Sequence, residues 1–264
     1  MNLSDISIGI KTFLRDDKLY NTINAIGHTL PDVRLIIADC GDHTEEKEGV
    51  YTDLRREGHT IIHLPFDAGF GAMSNAIADA VQTPYLLVGS DDFNFHPPYV
   101  RMGVEDMKTV LDYTELSIVS GRVRGPYEFT LEDQGDTIIE HKIENFASRL
   151  CRLSYQLAKR PLYFLHCDLT VNYSLIRGTV FQKVRWDNDV KIGGGEHGAW
   201  FLDVKRAGFT VAYVPGVQID EQKGEDSPQY KQFRSRASDP ARPCFDRRGI
   251  RRYVLGNGKV DYER

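Results

Sequence analysis

The sequence is short of the features that would take it out of the ordinary globular class. It has four cysteines in 264 residues, Cys40, Cys151, Cys167 and Cys244, far apart and without a C-x-x-C pair. That spacing supports neither a disulfide framework nor a zinc knuckle, and its simplest home is a reducing cytoplasm. No run approaches the roughly 18 to 20 apolar residues of a membrane span. The opening MNLSDISIGIKTF lacks the basic-then-apolar order of a secretory leader. No H-E-x-x-H and no G-x-S-x-G occurs, which disfavours a zinc hydrolase and a common serine hydrolase. Gly69-Phe70-Gly71 is a G-x-G with neither the third glycine of a dinucleotide fingerprint nor the G-K-[ST] of a P-loop. Internal repeats and low-complexity tracts are absent too.

What is present is a 41% hydrophobic, 27% charged chain with net charge −5, enough to bury a full core without staples. The net charge conceals an asymmetry. Residues 229–264 hold ten Lys/Arg against four acids, so this tail is +6 and the rest of the chain is −11. An acidic body with a basic tail calls for an explanation.

The first 95 residues alternate two textures. Short aliphatic runs at Ile6–Ile10, Leu35–Ala38, Thr60–Leu64 and Tyr85–Val88 predict buried strands. Stretches at 16–29, 44–58 and 71–82 predict helices, the third with Met73, Ala76, Ile77 and Ala80 on one face. Strands alternating with helices mean βαβ units and a parallel sheet, whose ligands sit at the carboxyl ends of the strands. Those ends carry Lys11-Thr12, Asp39-Cys40-Gly41-Asp42, Pro65-Phe66-Asp67 and Ser90-Asp91-Asp92. The second half is more mixed. Antiparallel strands are expected at 116–123, 127–132 and 136–142, and a helix near 145–159. One or two strands follow in 165–176, then a helix from 196 to 207 stopped by Gly208 and a strand at 211–215. After residue 224 the periodicity is weak, as in a loose arm or a wrap over the body.

Two constellations carry chemistry. Adjacent acids at a strand end, Asp91 and Asp92 in GSDDF, suit a divalent cation and through it a diphosphate, although such a pair also serves as a cap or solvated turn. Gly193-Gly194-Gly195-Glu196-His197 presents an acid and a histidine at a helix start, where a carboxylate can act as general base or simply begin a helix. Asp39 and Asp67 are candidates to hold a base or ribose, with turn-making as the alternative. Tyr163, Phe164, Tyr173 and Trp200 read as core aromatics before sugar platforms.

Together these pieces resemble a glycosyltransferase of the GT-A fold, family-2-like. SIGIKTFLRDDKLYNTINAI resembles that family's first strand and helix, LIIADCGD its second strand, and GFGAMSNAIADAVQTPYLLVGSDDF the stretch ending in its metal-binding acidic motif. DLTVNYSLIRGTVFQKVRWDNDVKIGGGEHGAWFLDVKRAGFTVAYVPGVQID resembles the acceptor half, closest to β-1,4-N-acetylgalactosaminyltransferase-like and galactosyltransferase-like members. The resemblance covers roughly residues 5–222. It implies an α/β fold with a Rossmann-like mixed sheet, mostly parallel in its N-terminal half and flanked by helices. One catalytic domain would span 1–224, with a nucleotide-sugar half (1–95) and an acceptor half (96–224), followed by a basic extension (225–264).

The same resemblance implies roles. Asp39 would contact the nucleotide base, with Asp67, Lys11 and Asp91 also on the nucleotide. Asp92, assisted by Asp91, would bind Mn²⁺ or Mg²⁺. Glu196 would be the base with His197 beside it, and which of the two takes the proton stays open. Asp220 or Glu221 falls at the late metal position, where no His follows; Ser90 stands where many members have a third Asp. The implied reaction is an inverting, metal-dependent transfer from a nucleotide sugar, UDP-linked, to an acceptor hydroxyl. For the acceptor, the tail leaves three readings: a glycan, with the tail against anionic lipid or its own body, or a hydroxymethylated pyrimidine in phage DNA, gripped by arginines interleaved with Phe233, Phe245 and Tyr253 as rings to stack on bases. A nucleotidyltransferase and an inactive sugar-nucleotide- or nucleic-acid-binding module are the competing classes.

Overall fold

The structure is a computed structural model that describes residues 2–123, 128–153, 160–191, 196–235 and 241–264. The N-terminal alternation folds as the pattern predicts: β1 (Ile6–Thr12), α1 (Asp16–Thr29), β2 (Arg34–Asp39), α2 (Glu45–Arg56), β3 (Thr60–His63), α3 (Phe70–Ala80) and β4 (Tyr85–Val88). β1 runs parallel to β2 and β4, and β2 parallel to β3. Local chemistry sets these elements. Thr44 caps α2 by accepting from the Lys47 amide at 3.2 Å, with acids in its first turn and Arg55 and Arg56 in its last.

Further elements follow in the second half. They are β5 (Phe93–Asn94), α4 (Pro98–Asp112), β6 (Ile118–Val123), β7 (Phe129–Asp133), β8 (Thr137–Lys142), α5 (Phe146–Arg149), β9 (Cys151–Leu153), β10 (Leu162–Cys167), β11 (Ser174–Arg177), α6 (Glu196–Arg206) and β12 (Val211–Glu221). The tail adds α7 (Pro228–Arg234), α8 (Ala241–Arg247), β13 (Arg252–Val254) and β14 (Val260–Glu263). The large sheet runs β3-β2-β1-β4-β11-β6-β12-β10-β9, with β5 on β12. β11 is antiparallel to both neighbours, as β10 is to β12 and β9, so the sheet is mixed.

Three expectations for the second half are revised. The segments 116–123, 127–132 and 136–142 do not form one antiparallel group. β6 enters the large sheet parallel to β12, and only β7 and β8 pair as a hairpin in a second, four-stranded sheet β14-β13-β8-β7. β6 is buried from Ile118 to Gly121, whereas β7 and β8 each have a wet face, so burial sorts them into different sheets. Of the stretch 145–159 expected as one helix, the described residues form the four-residue α5 and then Cys151–Leu153, which pair with β10; residues 154–159 lie outside the described residues. The strand expected at 211–215 continues to Glu221.

Alternating side chains send the sheet's core to both faces. Ile8, Ile10, Leu35, Ile37 and Leu87 meet α1, α2 and α4 on one side. Ile36, Leu86, Val88 and Ile118 meet α3 and α6 on the other. Each fully buried aliphatic side chain contributes on the order of 1.5–3 kcal/mol. The tail joins the second core. β13 adds parallel to β8, and Phe245 and Tyr253 are buried, stacked at 4.6 Å between ring centroids.

Candidate active site

The carboxyl ends of β1 and β4, the segment after β3, the start of α6, the end of β12 and helix α7 surround one cavity of about 470 Å³. Asp91 and Asp92 follow β4 on its wall, and Glu196, the first residue of α6, also lines it. Lys11, at the end of β1, donates to the Gly89 carbonyl at 3.3 Å and feels Asp91, Asp92 and Glu196. Burial lowers its pKa to about 8, against the pull of those three acids.

The acidic pair is organised by Arg15. The Arg15 Nη1 donates to Asp92 at 2.8 Å and its Nε to Asp91 at 3.2 Å, while Nη2 also reaches Asp91. Asp91 is fully buried, and burial lifts its pKa to about 6 in spite of Arg15. Burial opposes ionisation of Asp92 as well, yet Arg15 and the Ser90 hydroxyl, 2.5 Å from Asp92, bring its carboxyl below the ordinary range. At the other end of the cavity, His197 Nε2 donates to the Thr170 carbonyl and its ring meets Phe201 edge-on at 5.0 Å. Burial lowers its pKa, with neighbouring Glu196 pulling the other way.

Close backbone approaches set these groups in place. A Cβ on Gly69 or Gly71 would overlap the backbone of residues 187–191. The two glycines let the start of α3 run against that segment, with Gly71 donating to the Val190 carbonyl at 2.9 Å. The G-x-G therefore packs the approach to α6 and places Lys191 over Asp67, Nζ to carboxylate 3.3 Å. The three-glycine segment 193–195 lies outside the described residues.

No protein-family model matches the chain. It is 35% identical over 222 residues to mouse β-1,4 N-acetylgalactosaminyltransferase 2, covering 82% of this chain and 39% of that protein. The human β-1,4 N-acetylgalactosaminyltransferase 1 is 36% identical over 119 residues, 45% of this chain and 20% of the relative. The chain thus spans well under half the length of these relatives. Among solved structures, GalNAc-T7 with UDP, GalNAc and Mn²⁺ superposes with a TM-score of 0.66 at 11% identity, over 92% of this chain and 47% of that one. S. aureus TarS, residues 1–349, gives 0.55 at 8% identity, over 82% and 60%. The chain has the GT-A fold, and its sequence is similar to that of these glycosyltransferases.

In this GT-A chain the cavity gathers Lys11, Asp67, Asp91, Asp92, Glu196 and His197 of the residues singled out from sequence. Two others are placed elsewhere. Asp39 is fully buried and absent from the lining. Its carboxylate takes the Tyr51 hydroxyl at 2.7 Å, the Gly41 amide at 2.8 Å and Lys47 at 2.8 Å, a structural post beneath α2. Asp220 is exposed, accepts from Tyr99 at 2.7 Å and lies outside the lining, whereas its neighbour Glu221 is inside it. The strand alternation at the end of β12 sends the two in opposite directions.

Sequence reasoning did not assign Arg15, Phe13 or Tyr230 to the site, and it read Phe66 only as part of a strand end and Phe233 and Arg234 only as parts of the basic tail; all but Phe66 line the cavity. Phe13, Phe66 and Phe233 meet pairwise, with centroids 5.2 to 5.5 Å apart. The Tyr230 ring lies 4.6 Å from the Arg15 guanidinium. Nothing local in the tail signalled this. For Arg15, the signal was a cation three residues past a strand-end threonine. Phe164, Tyr173 and Trp200 are core aromatics, as expected, and Tyr163 is exposed.

The tail arginines meet the body's acids. Arg248 pairs with Asp187 at 2.7 Å and with Asp203, and Arg247 with Asp189 at 2.7 Å. Phe245 and Tyr253, candidates for stacking on bases, are core residues here. No helix among the described residues is long and apolar enough to cross a membrane.

The acidic pair fits a divalent cation in its donor chemistry: two carboxylates on a cavity wall, Asp92 one-fifth exposed. Among the described residues only His43, Glu48 and His63 bring three ligand groups together. There Arg55 Nη2 stands 2.7 Å from His63 Nε2, in the place a cation would take. At Asp91 and Asp92, further ligands must come from water or from a bound phosphate, the habit of Mg²⁺ in phosphate-transfer sites.

Proposed function

We propose that the chain transfers N-acetylgalactosamine from a UDP-linked donor to a hydroxyl of a glycan acceptor, with inversion. The observation that carries this reading is one cavity holding the Asp91–Asp92 pair and Glu196, with Lys11 feeling all three carboxylates. The relatives named as β-1,4 N-acetylgalactosaminyltransferases support the sugar, and the UDP complexes of GalNAc-T7 and TarS support the nucleotide. A β-linked product follows from an α-linked donor by a single displacement.

In this reading Glu196 takes the proton of the acceptor hydroxyl as that oxygen attacks the anomeric carbon. His197 is committed through Nε2 to Thr170, which leaves Glu196 as the base and His197 as the group that positions it. Lys11 and Arg15 offset charge on the departing diphosphate. A divalent cation held by Asp92 and Asp91 would add neutralisation of the same charge. The aromatic group Phe13, Phe66 and Phe233 suits the flat face of the base.

A glycan is preferred to nucleic acid as acceptor because body acids engage Arg247 and Arg248. A reducing, cytoplasmic setting belongs to the same reading, supported by four free cysteines. The test is UDP release from UDP-N-acetylgalactosamine and other UDP-sugars, with Mn²⁺ or with EDTA, alongside thermal shifts. Sugar- and Mn²⁺-dependent turnover is expected. Absence of both turnover and thermal shift with every UDP-sugar overturns the reading.

A further inference from the structure

Arg15 occupies the carboxylates that a cation would use. Its guanidinium spans the pair, bonding Asp92 at 2.8 Å and Asp91 at 3.2 Å. Asp226 stands 3.9 Å from the same Nη1, and the Tyr230 ring covers the guanidinium at 4.6 Å. The side chain is 13% exposed and lines the cavity. A divalent cation placed on Asp91 and Asp92 would face this fixed positive charge at contact distance, in a poorly solvated wall where repulsion is strong. The acids cannot serve both at once.

A diphosphate changes that balance. The guanidinium fork matches phosphate oxygens in the same two-pronged way that it matches carboxylates. It lies on the wall of the cavity in which the nucleotide is proposed to bind, so a short side-chain movement can transfer it from carboxylate to phosphate. The acids are then released to a cation, and the phosphate supplies the ligands that the two carboxylates lack.

We propose that Arg15 is an exchangeable counter-ion of the Asp91–Asp92 pair: it keeps the pair closed to divalent cations until a nucleoside diphosphate draws it away, so the two ligands bind together. The proposal rests on the reading of Asp91 and Asp92 as the cation seat. In this scheme Arg15 touches the diphosphate once it leaves the carboxylates, and the coupling is reciprocal by thermodynamic necessity.

The experiment measures free Mn²⁺ by its aqueous electron-paramagnetic-resonance signal in titrations of the full chain, with and without UDP. Wild type, Arg15→Ala, Arg15→Lys and Asp92→Asn are compared, each first shown to be folded by circular dichroism. Wild type is expected to bind Mn²⁺ weakly alone and at least tenfold more tightly with UDP. Mn²⁺ should tighten UDP by the same factor in calorimetry. Arg15→Ala is expected to bind Mn²⁺ alone at least fivefold more tightly than wild type, with the UDP enhancement falling below threefold. Arg15→Lys, which keeps the charge but loses the fork, should fall between them. Equal Mn²⁺ affinity of wild type and Arg15→Ala without UDP overturns the proposal, as does a wild-type affinity indifferent to UDP. Asp92→Asn reports on the underlying reading separately. If it binds Mn²⁺ as wild type does, the cation seat is elsewhere. If it loses Mn²⁺ while Arg15→Ala stays at the wild-type value, the seat stands and the counter-ion role falls.

Discussion

The Tyr253 hydroxyl stands where a side chain on Gly198 would begin, and it donates to Glu140 at 2.8 Å. A residue of the tail is thereby locked between the second sheet and the helix whose first residue is Glu196. Gly198→Ala is expected to cost about 1–3 kcal/mol through overpacking. Tyr253→Phe alone should cost about 1 kcal/mol by leaving the buried Glu140 one donor short. In the double variant the hydroxyl overlap is gone and the ring Cζ at 2.8 Å remains, so the overlap is eased and the two costs should add less than fully. Urea denaturation of the four proteins checks this, and strict additivity would separate Tyr253 from Gly198.

Arg248 belongs to the fold. Its side chain is 11% exposed and bonds Asp187 at 2.7 Å and Asp203 at 3.0 Å. Arg248→Ala should destabilise by about 1.5–3 kcal/mol, because Asp203 loses this partner and Asp187 is left with Arg247 at 3.1 Å. Lysine should not restore the loss, lacking the planar fork. Thermal melts measure the effect. Retention of the wild type on duplex DNA near physiological salt should be weak; strong, salt-steep retention would revive the nucleic-acid acceptor.

Removal of residues 225–264 should leave a protein that does not fold cooperatively. The cut takes β13 from β8 and removes Phe245 and Tyr253 from the core beside α6. Calorimetry would show a broad or absent transition, and a sharp one at the wild-type temperature would contradict this packing account.

Glu196→Gln should lower transfer about 10²- to 10⁴-fold, the usual span for a lost general base. UDP affinity should change by no more than a few-fold, because the amide keeps the shape of the acid. Turnover and calorimetry on the same preparation test this. Near-full turnover would remove Glu196 from the proton's path.

Turnover should follow a bell in pH. It should rise through about 6 as Asp91 ionises and decline above about 8 as Lys11 loses its charge. The stability signs are opposite in their consequences. Asp91 has a raised folded-state pKa, so its contribution is present when protonated and is lost as pH rises from the ordinary carboxylate range through about 6. Lys11 has a lowered one, so stability recovers as pH rises from about 8 toward the ordinary lysine range. The charges that suit the proposed chemistry are thus held at a cost to folding near neutral pH. pH-rate profiles and urea titrations across pH 4 to 10 would show both trends.

The parts of the molecule that were legible in the sequence are those in which a local pattern meets a local cause. Runs such as Ile6–Ile10 and Tyr85–Val88 are the buried strands their pattern suggests, and Gly208, with φ of 80°, ends α6 as a glycine past a helix does. The acids at strand ends fell where parallel sheets gather ligands, and Asp91, Asp92 and Asp67 lie on the cavity wall. The same reasoning could not separate Asp39 from them. Whether a strand-end carboxylate faces a ligand depends on what α2 brings over it, here Tyr51 and Lys47. At 151–153 the expected helix gives way to a strand, because one face of a short helix and one edge of a half-buried strand share a composition and pairing with β10 decided between them.

The sequence by itself determined the βαβ half, the acidic pair at its fourth strand and the acid at the start of α6, because strand burial and helix starts depend on neighbours along the chain. Only the tertiary structure decided what the basic tail does. Its cations and rings have the composition of a nucleic-acid grip, yet Arg248 is fixed by two body acids, Tyr253 packs under α6, and Tyr230 stacks on the arginine that spans the acidic pair. Partners so distant in sequence meet only when the sheet closes. A charge reads as free in the chain and is settled by what lies within about 4 Å of it in the fold.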